Sequence, residues 1–352
     1  MDLNRYSVIV PTYNRLSLLK DALDSLARQT VKPSEVIVVD DGSSDGTSEY
    51  CTALSHSSFD NPALSYHRIA NSGVSTARNL GAARATSDRL AFLDSDDVWL
   101  PRMGETLLKA LESRPQVDWA FSNFIQTGQD LQPLPGVNGF KRGFPAFVST
   151  DVDPIRFFQD HLRRDDFESG DLRIEGYYGD FFPLLFLGNF VQPSGIMIRR
   201  SAFFGAGGFD PSIRCGEETE FFHRLSARHH GMVLLPQSYL WRMGSRDSLS
   251  SSNTIALIEE AIRSHGRARA LRDLDRLGEE MSRRGFALLY NTYLMSLLTR
   301  GQNGRARRFI AGSAIRDGYF TKKTPLYILA SLIPSKIVLV ARRLKRSLRI
   351  AR

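Results

Sequence analysis

Short apolar runs and helically spaced segments alternate through the first third of the chain. The runs are SVIV (7–10), EVIVVD (35–40), LSYHRI (64–69), RLAFLD (89–94) and DWAFSNF (118–124). They are short, rich in β-branched and aromatic residues, and mostly apolar at consecutive positions, which predicts strands buried on both faces. Between them Leu18, Leu19, Ala22, Leu23 and Leu26, then Ala77, Leu80, Gly81 and Ala85, recur at helical spacing. This alternation predicts an α/β fold, a mostly parallel sheet flanked by helices.

Beyond residue 125 the rhythm changes. Residues 126–180 are rich in Gly, Pro and charge and read as an inserted or mobile region. From 189 to 243 the pattern returns, with GNFVQPSGIMIR, a helix over GEETEFFHRLSA, and two strands, GMVLLP and SYLWRM. After about 254 the spacing is helical. The expected organisation is therefore a sheet domain over 1–250, carrying an insertion at 126–190, followed by a helical region over 251–352.

Ligands on parallel sheets bind at the carboxyl ends of the strands, and three of these ends carry polar clusters: PTYNR (11–15), DDGSSDGT (40–47) and DSDD (94–97). In an extended chain Asp94 and Asp96 project to one side, with Ser95 and Asp97 on the other. Two such carboxylates make a hard oxygen site suited to Mg2+ or Mn2+ together with water and phosphate oxygens. A solvated helix N-terminus before VWLPRM explains the same residues. Asp40 and Asp41 end a strand where a base or ribose would lie, while Ser44 or Asp45 serves as a helix cap. ANSGVSTARN starts a helix at Ser72 or Gly73 and places Arg78 one turn in, beside amides that favour anions. In CGEETEFFHRL, helical spacing sets Glu218 on the face of Phe222 and Leu225, positioned as a general base, and lets Glu220 pair with Arg224 in solvent; Glu217 fits an acidic first turn.

Taken together, VIVPTYNR (8–15), VIVVDDGSSDGT (36–47), NSGVSTARNLGAARATSDRLAFLDSDDVW (71–99) and GGFDPSIRCGEETEFFHRL (207–225) resemble the family 2 glycosyltransferases of GT-A fold, of the kind that builds bacterial polysaccharide or O-antigen. The resemblance implies a nucleotide-binding sheet with a nucleotide-sugar donor, usually a UDP-sugar, over the strand ends. Pro11 and Tyr13 would flank the uracil, Asp40 or Asp41 would hydrogen-bond it, and Arg78 would approach the nucleotide. Asp94, Ser95 and Asp96 would form the donor-side Asp-x-Asp motif, with Asp96 as ligand to Mn2+ or Mg2+ and Asp94, a second candidate ligand, nearer the ribose. Glu218, or else Glu217, would be the catalytic base of a single inverting displacement. Where many relatives have a His near the end of the catalytic region this chain has Gly244, so a diphosphate contact there comes from Arg242, Arg246 or a serine, or is absent. Two other readings remain: a nucleotidyltransferase, for which PTYNRLS is not the expected Gly-rich basic loop, and a non-catalytic nucleotide-sugar-binding protein.

Composition narrows the setting. A 352-residue chain with 42% hydrophobic residues excludes a disordered protein. The two cysteines, Cys51 and Cys215, show no metal or disulfide spacing and read as free thiols, and no signal-peptide pattern precedes Ser7. Of the net charge of +8, the last twelve residues supply six positive charges and no negative one, so the remainder is nearly balanced and nucleic acid is not expected as a partner. On a helix Ile337, Val340, Ala341, Leu344, Leu348 and Ala351 share a stripe opposite those basic residues. That pattern predicts peripheral attachment to an anionic membrane surface, from the cytoplasmic face of the plasma membrane, where a glycan or lipid-linked glycan acceptor would reside.

Overall fold

The structure, a computed structural model, describes residues 5–56, 63–135, 139–140, 152–244, 254–317 and 324–333. Each of the five apolar runs is a strand: β1 (Ser7–Thr12), β2 (Glu35–Asp40), β3 (Ala63–Arg68), β4 (Arg89–Phe92) and, beyond the short β5 (Val98–Trp99), β6 (Val117–Thr127). β3, β2, β1 and β4 lie side by side in parallel, with Ser7 opposite both Glu35 and Leu90. All of β1 is buried, as its uninterrupted apolar run predicts.

Helices α1 (Leu16–Ala27), α2 (Thr47–His56), α3 (Val74–Arg84) and α4 (Met103–Ser113) fill the intervals between these strands. α3 packs on β1 and β2, and the approach is close because Gly81 faces Ile9: a Cβ there would lie 2.4 Å from Ile9 Cγ2.

The region over 126–190 contains α5 (Pro154–His161), capped by Asp153, and a hairpin of β7 (Arg163–Ser169) and β8 (Leu172–Gly179). The hairpin continues the main sheet, with β8 antiparallel to β10 (His230–Arg242). The two strands expected over 231–242 are one. Its register against β6 shifts around Leu234, Gln237 and Tyr239, and Pro236, which has no N–H to donate, sits within that irregular stretch. A short α6 (Phe182–Leu185), then β9 (Ile196–Arg199), α7 (Arg200–Gly205) and α8 (Glu217–Ser226) complete the sheet domain. β9 runs antiparallel between β4 and β6.

Helices α9 (Thr254–Arg269), α10 (Arg276–Thr299), α11 (Asn303–Asp317) and α12 (Thr324–Leu332) follow. Ala268 and Met281 join the main core, whereas Tyr290, Leu294, Leu297, Ala306 and Tyr327 form a second apolar cluster farther out. The basic stripe over 337–352 and Arg246 lie outside the described residues.

Candidate active site

The acidic loop between β4 and β5 is pinned at both ends. Leu93 N donates to Ile9 O, and β5 pairs antiparallel with Tyr239 and Leu240 of β10. The chain between these anchors is a turn, closed by Asp97 N donating to Asp94 O at 3.0 Å, rather than the extended segment expected from spacing. The turn separates the three carboxylates into distinct roles.

Asp97 is buried beneath the loop. It accepts hydrogen bonds from Ser194 Oγ and, at 3.0 Å, from the Arg242 amide. Burial, then the Asp96 and Asp94 charges, raise its pKa well above the usual carboxylate range, while those two donors oppose the rise. Ser194 Oγ also accepts from Asp94 N at 3.1 Å, so one hydroxyl ties both ends of the turn.

Asp94 and Asp96 stay partly open, with side chains 29% and 17% exposed. Asp94 pairs with Arg78 Nη2 at 2.7 Å, and Arg78 Nη1 donates to Glu217 at 2.8 Å. Arg78 is itself buried, with its guanidinium over the Phe209 ring at 5.1 Å. Asp96 pairs with Arg15 Nη1 at 2.7 Å. Burial raises the Asp96 pKa; Arg15 works against that and the Asp94 charge adds to it. Ser95, between them, is buried.

Glu217 and Glu218 open α8 behind Gly216, which takes the left-handed conformation at φ 80°. Glu217, held by Arg78, is the deeper of the two. Glu218 is half-buried and accepts no hydrogen bond from another described side chain. Its pKa is raised to about 8, by burial first and then by the Glu217 charge, with Asp94 adding to the rise and Arg78 opposing it. Glu220 pairs with Arg224 as the spacing predicts, but both Glu220 carboxylate oxygens and the Ala206 and Gly208 carbonyls enclose the guanidinium. Glu220 is therefore buried, because α8 turns this edge onto the chain that follows α7 rather than to solvent.

The tandem aspartates at the end of β2 have structural partners. Asp40 accepts from Ser43 N at 2.8 Å and Tyr66 Oη at 2.7 Å. Asp41 accepts from Ser72 N at 2.6 Å and Gly73 N at 2.8 Å, capping α3 from another strand end. Asp45 caps twice, taking Leu16 N at the start of α1 and Thr47 at the start of α2. Pro11 is buried and Tyr13 is 46% exposed on the rim. Arg242 is buried and spends its guanidinium on Asp21 and the Gln129 carbonyl. Gly244, in its left-handed conformation at φ 82°, offers no side chain to a diphosphate.

Spacing singled out the carboxylates and Arg78 but not Arg15 or Ser194. Arg15 had a signal, a basic residue just beyond β1, in PTYNR. Ser194 had none, since its role comes from the tertiary meeting of the turn before β9 with the acidic loop.

Among the described residues no group of three or more His, Cys, Asp or Glu is arranged as a closed metal cage. The donor set is instead two hard, partly open carboxylates, Asp94 and Asp96, which repel each other. That set fits a divalent cation that takes its remaining ligands from water and phosphate. Both cysteines are free, and burial raises the thiol pKa of Cys51 to about 12 and of Cys215 to about 11.

Residues 7–167 match the family described as Glycosyl transferase family 2. The chain is 36% identical over 138 residues to YibD, an uncharacterized glycosyltransferase of Escherichia coli (strain K12), a match covering 38% of each chain. It spans less than half the length of the curated relatives it matches. Among solved structures, Staphylococcus aureus TarS 1-349 in complex with UDP-GlcNAc superposes with a TM-score of 0.60 at 17% identity, covering 97% of this chain and 92% of that one. The mannosyltransferase PcManGT from Pyrobaculum calidifontis, in complex with GDP-Man and Mn2+, superposes at 0.54 and 17% identity, covering 97% and 87%. The sheet and its flanking helices thus have the fold of known glycosyltransferases.

Proposed function

We propose that the chain, whose residues 7–167 match glycosyl transferase family 2, is an inverting, cation-assisted glycosyltransferase using a nucleotide-sugar donor, with a UDP-sugar as the first candidate. The observation that carries the reading is the convergence at Arg78, which joins Asp94 of the donor-side loop to Glu217, the immediate neighbour of Glu218. The reading takes as one site the strand-end acidic pair and Glu218, which accepts no hydrogen bond from another described side chain.

Glu218 has the chemistry of a general base. Among the described residues no other side chain hydrogen-bonds its carboxylate, and its pKa, raised to about 8, makes it a better proton acceptor than a solvated glutamate. In the proposed reaction it takes the proton from an acceptor hydroxyl as that oxygen attacks the anomeric carbon opposite the diphosphate. A single displacement inverts the configuration. Glu217 holds Arg78 and so sets the position of the α8 first turn. Asp94 and Asp96 would hold Mn2+ or Mg2+, whose charge would offset that developing on the departing diphosphate. The exposed Tyr13 ring offers a surface for base stacking, with Asp41 and Asp40 behind it. TarS and PcManGT, which share the fold, were solved with UDP-GlcNAc and GDP-Man respectively, and this supports a sugar nucleotide as donor class.

The acceptor is proposed as a glycan, lipid-linked, reached from an anionic membrane surface in cell-surface polysaccharide assembly. No helix among the described residues is long and apolar enough to cross a membrane. α12 supports surface attachment instead: Leu326, Leu329 and Leu332 are 62%, 64% and 64% exposed, and the basic stretch follows directly in sequence. Co-sedimentation with phosphatidylglycerol vesicles, lost on Leu329→Ser with Leu332→Ser, would support this attachment; equal binding to neutral vesicles would argue against it.

The deciding experiment for the enzyme is turnover of a panel of sugar nucleotides by the wild-type protein, Glu218→Gln and Asp96→Ala, with and without Mn2+. Turnover that survives both substitutions places the chemistry elsewhere.

A further inference from the structure

The two open carboxylates of the acidic loop are held by guanidinium groups in different ways. Arg78 is buried, and both of its terminal nitrogens are engaged, by Asp94 and Glu217. Removing either partner would leave a buried charge exposed to its neighbours, so this arrangement is fixed. Arg15 touches Asp96 through Nη1 alone, with the two side chains 25% and 17% exposed. It makes no second side-chain hydrogen bond among the described residues, and Asp96 accepts none from any other described side chain. A partly open, one-point ion pair of this kind contributes little to stability and exchanges readily.

The backbone that carries Arg15 is, by contrast, closely stitched. Asn14, at φ 50°, donates through its amide to Ser43 Oγ and accepts Ser44 N on its side chain. Leu16 N is taken by Asp45, and Arg15 O accepts from Leu18 N and Leu19 N. Only the side chain is left to move, on a fixed base at the mouth of the site.

We propose that Arg15 is a tethered counter-ion for Asp96, holding that carboxylate while donor is absent, yielding it to a divalent cation, and then contacting the diphosphate that arrives with the cation. The inference rests on the glycosyltransferase reading above and adds a regulation of the same site. A guanidinium and a divalent cation repel each other across one carboxylate, so the two compete for Asp96. Once displaced, the guanidinium is next to the strongest anion in the site, whose oxygens match its fork.

The test measures Mn2+ binding on the nucleotide-free full chain, from the electron paramagnetic resonance signal of the free aqua ion at fixed ionic strength. UDP binding at saturating Mn2+ follows by calorimetry. Arg15→Gln should bind Mn2+ about tenfold more tightly than wild type, the equivalent of one unit of electrostatic shift, and UDP about tenfold more weakly. Arg15→Lys, which keeps the charge and loses the fork, should stay within about twofold of wild type for Mn2+ yet weaken UDP. Opposite signs in one variant separate this role from a structural one, which would weaken both ligands. If Arg15→Gln binds Mn2+ as wild type does, or less tightly, while Asp96→Asn abolishes binding, the counter-ion role is wrong and the cation site stands. If wild type and Asp96→Asn bind Mn2+ alike, the cation site itself is wrong and the inference falls with it. Should Arg15→Gln fail to fold by circular dichroism, Arg15→Lys decides: UDP affinity unchanged at saturating Mn2+ overturns the proposal.

Discussion

Arg78 donates to Glu217 at 2.8 Å across 139 residues of sequence, joining α3 to α8, while its other terminal nitrogen holds Asp94. One buried side chain thus fixes the distance between the acidic loop and the first turn of the helix that carries Glu218. Arg78→Ala would leave Glu217 buried without its cation, and the expected loss is about 3–5 kcal/mol of folding stability. Arg78→Lys cannot bridge two carboxylates with one fork and should lose most of the activity while retaining more of the stability. Urea denaturation alongside turnover checks both.

Glu217 and Glu218 are adjacent yet differently placed, so the paired substitutions should separate them. Glu218→Gln is expected to lower kcat by about 10²–10⁴-fold with little change in donor affinity, the usual range for removing a general base. Glu217→Gln removes the charge that anchors Arg78 and should lower the melting temperature as well as the rate. Equal melting losses in both variants would mean that Glu218 is structural too.

Protonation of Glu218 should be visible in both rate and stability. As a base it must be ionised, so kcat/KM is expected to rise with pH through about 8 and to level off above it. Stability runs the other way. The folded value lies above the ordinary 4.5, so the stabilisation from the protonated group is complete below about 4.5 and is lost as pH rises through about 8. Glu218→Gln should therefore melt higher than wild type at about pH 9, with the gap closing by about pH 5. A wild-type advantage at high pH would contradict the raised value.

The parallel strands were legible because burial on both faces leaves a plain mark, consecutive apolar residues, as in VIVVD. The β7–β8 hairpin was not, for a physical reason: RRDDFES has no apolar alternation. Its strands pair through the backbone ladder, and their side chains meet charges: Arg173 pairs with Asp166 across the hairpin, and Arg114, at the end of α4, makes a two-point contact on Asp165. Charge read as irregularity conceals a strand whose partners are other charges. Spacing singled out Asp94 and Asp96 but not the geometry of their loop, since an i, i+2 argument assumes extended chain and the loop is a turn. Asp40 and Asp41 show the converse. Their tandem placement suggests a nucleotide contact, and the structure adds protein donors to both: Ser43 N and Tyr66 Oη to Asp40, Ser72 N and Gly73 N to Asp41. Of these only Ser43 is near in sequence; Tyr66, Ser72 and Gly73 make contacts that no local pattern contains.

Ser194 tests the turn itself. Ser194→Ala removes the acceptor for Asp94 N and one of the two donors to the buried Asp97 among the described residues, leaving the Arg242 amide. The expected cost is about 1–3 kcal/mol, the range for stranding a buried polar group. Mn2+ affinity should fall with it, because Asp94 and Asp96 are positioned by the same turn. Unchanged Mn2+ binding in a destabilised variant would show that the carboxylates keep their places without Ser194.

Gly285 tests how the C-terminal helices dock on the sheet domain. In the interior of a helix, Gly→Ala ordinarily stabilises by about 0.5–1 kcal/mol. In α10 the sign should reverse. A Cβ on Gly285 would lie 1.7 Å from the Phe186 carbonyl oxygen and 3.2 Å from Leu187 Cα, and both obstacles are backbone. Phe186 cannot yield easily, because its ring lies between His223 of α8 and His265 of α9, with centroids 5.1 Å and 5.0 Å away. Gly285→Ala should therefore push α10 off α6 and disturb the helix that carries Glu218. The expected result is a lower melting temperature together with reduced turnover. Gly266→Ala, where a Cβ would meet nothing within 4 Å, serves as the control and should stabilise. If Gly285→Ala melts at or above wild type, the close approach of α10 to Phe186 is not part of the folded protein.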